Sequence, residues 1–271
     1  MYKKQNLHTH CTFCDGKDTP EAMVQTAIEK GFDSLGFSSH SYHPYLKTTR
    51  INAENEAAYL KEVASLKEKY KGQIDIFLGI EYEICSEHKI EGLDYSIGAA
   101  HYINTCDGFV TFDVSAEGTQ KYVEKYFGGD GLRFAKAYYE TVATIPEKGN
   151  FDILAHFDLI TKNNETLGII DTSSAEYKKY AVEAIDALVG KIPFFELNTG
   201  AISRGYRSSP YPALDLLKEF KRRGFGAVIT SDCHDKNYLD CHFSEARELL
   251  LAAGFKSKFV LTHNGFEEIS L

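Results

Sequence analysis

The sequence predicts an α/β barrel with a metal site at the C-terminal ends of its strands. Three observations predict it. Short β-type runs alternate with amphipathic stretches, which implies a mainly parallel sheet. The length of 271 residues suits one barrel domain over residues 1–271. Seven successive strands each carry a potential metal ligand or polar group near their C-terminal end. In a closed barrel these groups converge on one mouth. In an open doubly wound sheet, the competing architecture, the outer ones would lie far apart.

The elements follow in order. NLHTH reads as the first strand. TPEAMVQTAIEKGF reads as a helix, with Thr19 as N-cap, Pro20 at the first helical position and Gly31 as its stop. DSLGFSSH is the second strand, and Asn52 caps a long helix through Tyr70. IDIFLGIEYEI, DYSIGAAHYI and FDILAHFDLI are strands three to five, with further helices over 117–127, 132–147 and 174–190. PFFELNTG is the sixth strand, PALDLLKEFKRRGF a helix and GAVITSDCH the seventh strand. SEARELLLAAGF is the last helix, and KFVLTHNGF a short terminal strand or extended tail.

Composition narrows the partners. With 43% hydrophobic and 25% charged residues a sizeable core is available. A net charge of −9 argues against nucleic acid, whose phosphate backbone needs a basic surface. No stretch interleaves basic and aromatic residues as single-strand binders do. A small phosphorylated ligand needs only a local cationic pocket and stays open. MYKKQNLHTH has no apolar leader, and no apolar run is long enough to span a bilayer, so no membrane partner is expected. Six cysteines in a chain this long do not form a disulfide framework. A reducing, cytoplasmic compartment is expected. Oligomeric state leaves no signature.

The strand ends carry the chemistry. Strand one ends in His8 and His10, and strand two in His40 with His43 soon after. Strand three carries Glu81 and Glu83, strand four His101, and strand five His156 and Asp158. Strand six ends in Glu196 and Asn198, strand seven in Asp232 and His234. Residues i and i+2 of a strand point to one side. His8 and His10 can therefore face one ion, and Asp232 and His234 one ion or two. Imidazole and carboxylate suit zinc, manganese or iron better than calcium. A carboxylate such as Glu81 can bridge two ions, and metal pairs about 3.5–4 Å apart are typical of phosphoester hydrolases. A single histidine after a strand is most often an ordinary core or surface residue, and HxH alone is weak. Seven lined strand ends carry the metal reading. Asp15, close behind His10, belongs to the site as well.

Other candidates rank lower. Cys11 and Cys14 have CxxC spacing, but no second CxxC exists to build a zinc knuckle. Cys233 lies between two ligands, and alternation points it away from them. Cys85, Cys106 and Cys241 read as core or incidental residues, and His88, His242 and His263 fall outside the pattern.

HTHCTFCDG, GFSSH, GIEYE, GAAHY, AHFD, ELNT and TSDCH, in this order from residue 8 to residue 234, resemble the polymerase-and-histidinol-phosphatase (PHP) superfamily. The resemblance implies a distorted seven-stranded (β/α)7 TIM-like barrel with three divalent metal ions. Position by position, it implies that His8, His10, Glu81 and Asp232 hold one metal. Glu81 bridges to a second, shared with His101 and His156. Asp15, His40 and His234 hold a third. Asp15 stands where many relatives have histidine; an aspartate at this position resembles the histidinol-phosphatase branch, as do the segments after His40 and Glu196. Arg204 and Arg207 follow strand six in a chain with only seven arginines. A guanidinium matches phosphate bidentately, so both are candidate substrate contacts. Lys162 is a further one. His43 is a candidate for substrate contact or proton donation.

The resemblance implies hydrolysis of L-histidinol phosphate, a step of histidine biosynthesis, by attack of a metal-bridging hydroxide on phosphorus. Asp232 is expected to take the proton of the attacking water. The alternatives are a PHP exonuclease or nucleotide phosphatase, a phosphotyrosine phosphatase of the same metal type, and a non-enzymatic metal-binding barrel.

Overall fold

A computed structural model describes residues 3–45, 52–87 and 89–271. Its central sheet holds seven parallel strands, in the order β1 (Gln5–Asn6), β2 (Ser34–Phe37), β3 (Asp75–Glu83), β4 (Tyr95–Ala99), β7 (Ile153–Leu154), β8 (Phe194–Asn198) and β9 (Gly226–Thr230). Two antiparallel hairpins flank it: β5 (Tyr102–Thr105) with β6 (Gly108–Thr111), and β10 (Ser257–Thr262) with β11 (Gly265–Ser270). The ring closes just beyond the first and last strands. Thr9 pairs with Cys233, the His10 N–H donates to Cys233 O at 2.8 Å, and the Cys233 N–H to His8 O at 3.0 Å.

The helices are α1 (Pro20–Glu29), α2 (Ala53–Lys69), α3 (Ala116–Phe127), α4 (Gly131–Ala143), α5 (Ile145–Lys148), α6 (Asn164–Leu167), α7 (Ala175–Leu188), α8 (Gly200–Ser203), α9 (Leu214–Arg222) and α10 (Phe243–Ala252). Thr19 caps α1, its Oγ1 accepting the Ala22 N–H at 3.2 Å. Asn52 caps α2 through Asn55 N–H at 2.9 Å. Gly31 adopts the left-handed conformation that ends α1 (φ 70°). The helix expected over 132–147 is broken at Thr144, because Pro146 has no N–H to continue the ladder.

The barrel strands match the seven expected in order but are shorter. The physical reason lies in the backbone amides of the histidines. His8 N–H goes to Asn6 Oδ1 (3.1 Å), His101 N–H to Glu83 Oε1 (3.0 Å) and His156 N–H to Glu196 Oε1 (2.7 Å). Side chains thus take amides that a longer strand would give to its neighbour. Strand five stops at Leu154. The expected fourth strand ends at Ala99, and its tail after His101 becomes the β5–β6 hairpin. KFVLTHNGF forms most of the β10–β11 hairpin rather than a lone strand or tail.

Two apolar layers position the strands. One fills the barrel, with Leu7, Phe77, Tyr95, Ile97, Ile153 and Val228 at its centre. Tyr95 spans it, its hydroxyl donating to Phe37 O at 2.9 Å, while Gly36 and Gly79 leave room for its ring. The β10–β11 hairpin plugs the end where the strands begin: Gln5 exchanges two 2.8 Å bonds with the Leu261 backbone, and Phe259 and Phe266 pack on Phe194. The larger layer lies between sheet and helices. Its tightest joint is at Gly131, where an added Cβ would stand 1.8 Å from Ile169 O. Gly131→Ala is therefore expected to cost about 1–3 kcal/mol. A thermal midpoint equal to wild type would show that the Ile169 segment yields freely.

Candidate metal centre

The nine ligand positions expected from the sequence gather at the strand C-terminal ends in three groups. His8, His10 and Asp232 form one, Glu81, His101 and His156 a second, and His10, Asp15, His40 and His234 a third. Within each group one N or O atom per residue lies within 4.8 Å of the others. His10 stands in two groups, where the sequence reading had it in one.

Glu81 lies between the groups. Its Oε1 faces His156 Nε2 (3.2 Å) and His101 Nε2 (3.8 Å). Its Oε2 faces His40 Nδ1 (2.9 Å), His8 Nε2 (3.4 Å) and His10 Nε2 (3.5 Å). Glu81 is buried, yet Oε2 receives no hydrogen bond. Burial, the largest influence on this carboxyl, raises its pKa, but His8, His40 and His101 hold it well below the usual carboxylate range. Asp232 and Asp15 are likewise held low: burial works against Arg204 and His8 at Asp232, and against His40 and His234 at Asp15.

His8 and His10 present their Nε2 atoms to one another at 3.1 Å. One of the two must carry a proton for that approach to be favourable. Burial disfavours a charged ring at both. At His8 the carboxylates of Glu196, Glu81 and Asp232 outweigh burial and raise the pKa, while at His10 burial and the neighbouring His40 lower it. The cluster therefore draws positive charge inward. A divalent ion satisfies the same demand by displacing protons. An orphaned carboxylate oxygen, opposed imidazole nitrogens and an all N/O donor set fit zinc, manganese or iron.

Behind the ligands stand two carboxylates that the sequence reading noted at strand ends but left out of the site. Glu196 Oε2 takes His8 Nδ1 (2.8 Å) and the Thr230 hydroxyl (2.8 Å), and its Oε1 takes His156 N–H and Asn198 Nδ2 (both 2.7 Å). It thereby fixes one histidine from each of two groups. Glu83 Oε2 pairs with His101 Nδ1 at 2.7 Å. Burial, the largest influence, lowers the His101 pKa, but Glu83 and Glu81 outweigh it and push it up to about 9. The i, i+2 relation of Glu81 and Glu83 was the available signal. Glu83→Gln should lower metal affinity or turnover about 10–100-fold, because partners of this kind orient the ligand ring. Metal titration against wild type checks it, and equal affinity with equal turnover would remove Glu83 from the site.

A cavity of about 310 Å³ opens over the groups, walled by Lys162, Arg204, Tyr206 and Asp113. Arg204 follows α8 and reaches back, Nη2 to Asp232 Oδ2 (2.8 Å) and Nη1 to His234 Nδ1 (2.8 Å). Asp232 itself sits in the left-handed region (φ 45°), a strained backbone of the kind found at functional sites. Lys162 is paired with Asp113 at 2.6 Å.

Two expected substrate residues lie elsewhere. Arg207 is buried against Asp158 (3.4 Å) and the Tyr211 ring (4.5 Å), off the cavity wall, because Asp158 is the buried charge it neutralises. His43 is 4% exposed, packs edge-on against Tyr102 and does not line the cavity. Burial lowers its pKa to about 4, so at neutral pH it holds no proton to donate as an imidazolium. Cys14 does touch the site, its Sγ 3.4 Å from His10 Nδ1, whereas Cys233 is turned to Asp235 O. His242 and His263 lie on the surface, and His88 is outside the described residues.

The PHP domain matches residues 6–200. A probable histidinol-phosphatase of Deinococcus radiodurans is 28% identical over 253 residues, spanning 88% of this chain and 89% of the relative. The histidinol-phosphatase of Lactococcus lactis is 26% identical over 270 residues, 93% and 92% of the two chains. The fold is shared with the crystal structure of a Lactococcus lactis histidinol phosphate phosphatase complexed with zinc, L-histidinol and phosphate. That likeness has a TM-score of 0.65 and 20% identity, over 98% of this chain and 99% of that one.

Proposed function

This chain belongs to the PHP domain family, and on that premise we propose that it is a metal-dependent phosphomonoesterase hydrolysing L-histidinol phosphate to L-histidinol and phosphate. One observation carries the reading: three metal-capable groups share one cavity with cationic side chains, Arg204 and Lys162 among them. The curated relatives, similar over most of their length, support the substrate. The same proposal includes a cytoplasmic enzyme of histidine biosynthesis acting as one domain. Among the described residues no helix is long and apolar enough to cross a membrane.

In this proposal His8, His10, Asp232 and Glu81 would hold one ion, Glu81, His101 and His156 a second, and Asp15, His40 and His234 a third. Bound divalent ions make water a competent nucleophile near neutral pH and offset phosphoryl charge. The chain's own groups do the rest. Arg204 and Lys162 bind phosphoryl oxygens and stabilise the charge that grows on them. Asp232, kept ionised by Arg204, accepts the proton of the attacking water. Glu196 and Glu83 hold His8, His156 and His101 in place before substrate arrives.

The test is phosphate release with added manganese or zinc from L-histidinol phosphate, p-nitrophenyl phosphate, a nucleoside monophosphate and short single-stranded DNA. Strong preference for the first supports the proposal. Even, weak activity discards the named substrate, and DNA cleavage replaces the reading with an exonuclease.

A further inference from the structure

One acid on the cavity wall has no part in the ligand groups. Asp15, Asp232 and Asp113 line the cavity, and the first two belong to metal-capable groups. Among the described residues, Asp113 is thus the one lining carboxylate outside them. The β5–β6 hairpin fixes it: the Asp113 N–H donates to Thr111 Oγ1 (3.1 Å), and the Thr111 hydroxyl to His101 O (3.0 Å). Its Oδ1 accepts from Lys162 Nζ at 2.6 Å, and that ammonium lies 4.4 Å over the Tyr206 ring. A carboxylate and an aromatic face therefore already hold one cation between them. Burial, the largest influence, raises the Asp113 pKa, yet Lys162 and His101 keep it below the ordinary value, so the group is an anion at neutral pH.

Once Lys162 turns from it to a phosphoryl oxygen, the uncompensated Asp113 carboxylate favours a leaving group that brings its own positive charge over one that does not. Resting on the phosphomonoesterase reading above, we infer that Asp113 and Tyr206 form a subsite for a cationic leaving group. It selects phosphate monoesters whose alcohol carries a protonated amine or imidazole. The ester's cation takes the place of the Lys162 ammonium on both partners, by ion pairing to the carboxylate and by cation–π contact with the ring. Lys162 is then free to turn to the phosphoryl group.

The experiment compares cationic with uncharged leaving groups on the metal-loaded enzyme. L-Histidinol phosphate and phosphoethanolamine are paired with p-nitrophenyl phosphate and glycerol 3-phosphate, and kcat/KM is measured for wild type, Asp113→Asn and Tyr206→Leu. In Asp113→Asn the ratio of cationic to uncharged kcat/KM should fall about 10–100-fold, the worth of a charged hydrogen bond, and chiefly through KM. Tyr206→Leu should lower the same ratio less. A ratio within twofold of wild type in both variants overturns the inference, whether the individual rates fall or not, because Asp113 would then act only by tethering Lys162. If Asp113→Asn is inert on all four esters, the Tyr206→Leu ratio decides alone. Wild type inert on all four overturns the phosphomonoesterase reading and the subsite with it. Wild type active on all four without preference overturns the subsite alone.

Discussion

Glu81→Ala is expected to lose metal and turnover together, with kcat/KM reduced by at least about a thousandfold. The two carboxylate oxygens of Glu81 face five histidines, His8, His10, His40, His101 and His156, drawn from all three groups. Removing it leaves the imidazoles of His8, His40 and His101 without the carboxylate that draws charge toward them. The loss is larger than deletion of one ligand from one group would give, because the carboxylate serves two. Metal content per chain and kcat/KM, measured on the same preparation, check it. Near-normal turnover in the variant would sink the scheme.

Arg204→Ala is the second large effect, a fall in kcat/KM of about 10²–10³. The guanidinium lies on the cavity wall and is bonded to Asp232 and His234. Burial disfavours its charge, and Asp232 more than compensates, so its pKa is raised and it stays charged throughout. Arg204→Lys keeps the charge without the planar fork and should recover only part of the loss. Metal content separates two causes. Metal retained in Arg204→Ala supports a phosphate contact, and metal lost with activity shows that Arg204 works by holding Asp232.

Much of this was legible in the sequence for a local reason. Alternation along a strand puts His8 with His10, and Glu81 with Glu83, on one side whatever the tertiary structure. Convergence then needed only a closed ring. What stayed hidden depends on partners remote in sequence. The direction of Arg207 is decided by Asp158, 49 residues away by number. His43 is decided by the Tyr102 ring against it. The β5–β6 hairpin was invisible because apolar character runs on through DYSIGAAHYI, while the break is made by Glu83 capturing the His101 amide. Asp113 and Tyr206 obey no spacing rule at all.

The closure of the ring has a consequence for folding. The seam between the first and last strands is stitched by His8, Thr9, His10 and Cys233, the segments that also carry His8, His10 and Asp232. Zipping the barrel shut and assembling the ion site are thus one event, seen from two sides. Chelation should loosen the molecule unevenly. Amide hydrogen exchange at His10 and Cys233 should speed up markedly, while the middle of β4, opposite the seam in the strand order, stays slow. Uniform acceleration would mean instead that the ions brace the entire barrel. The N-terminal and C-terminal arms would then owe their meeting to the general core rather than to the metals they share.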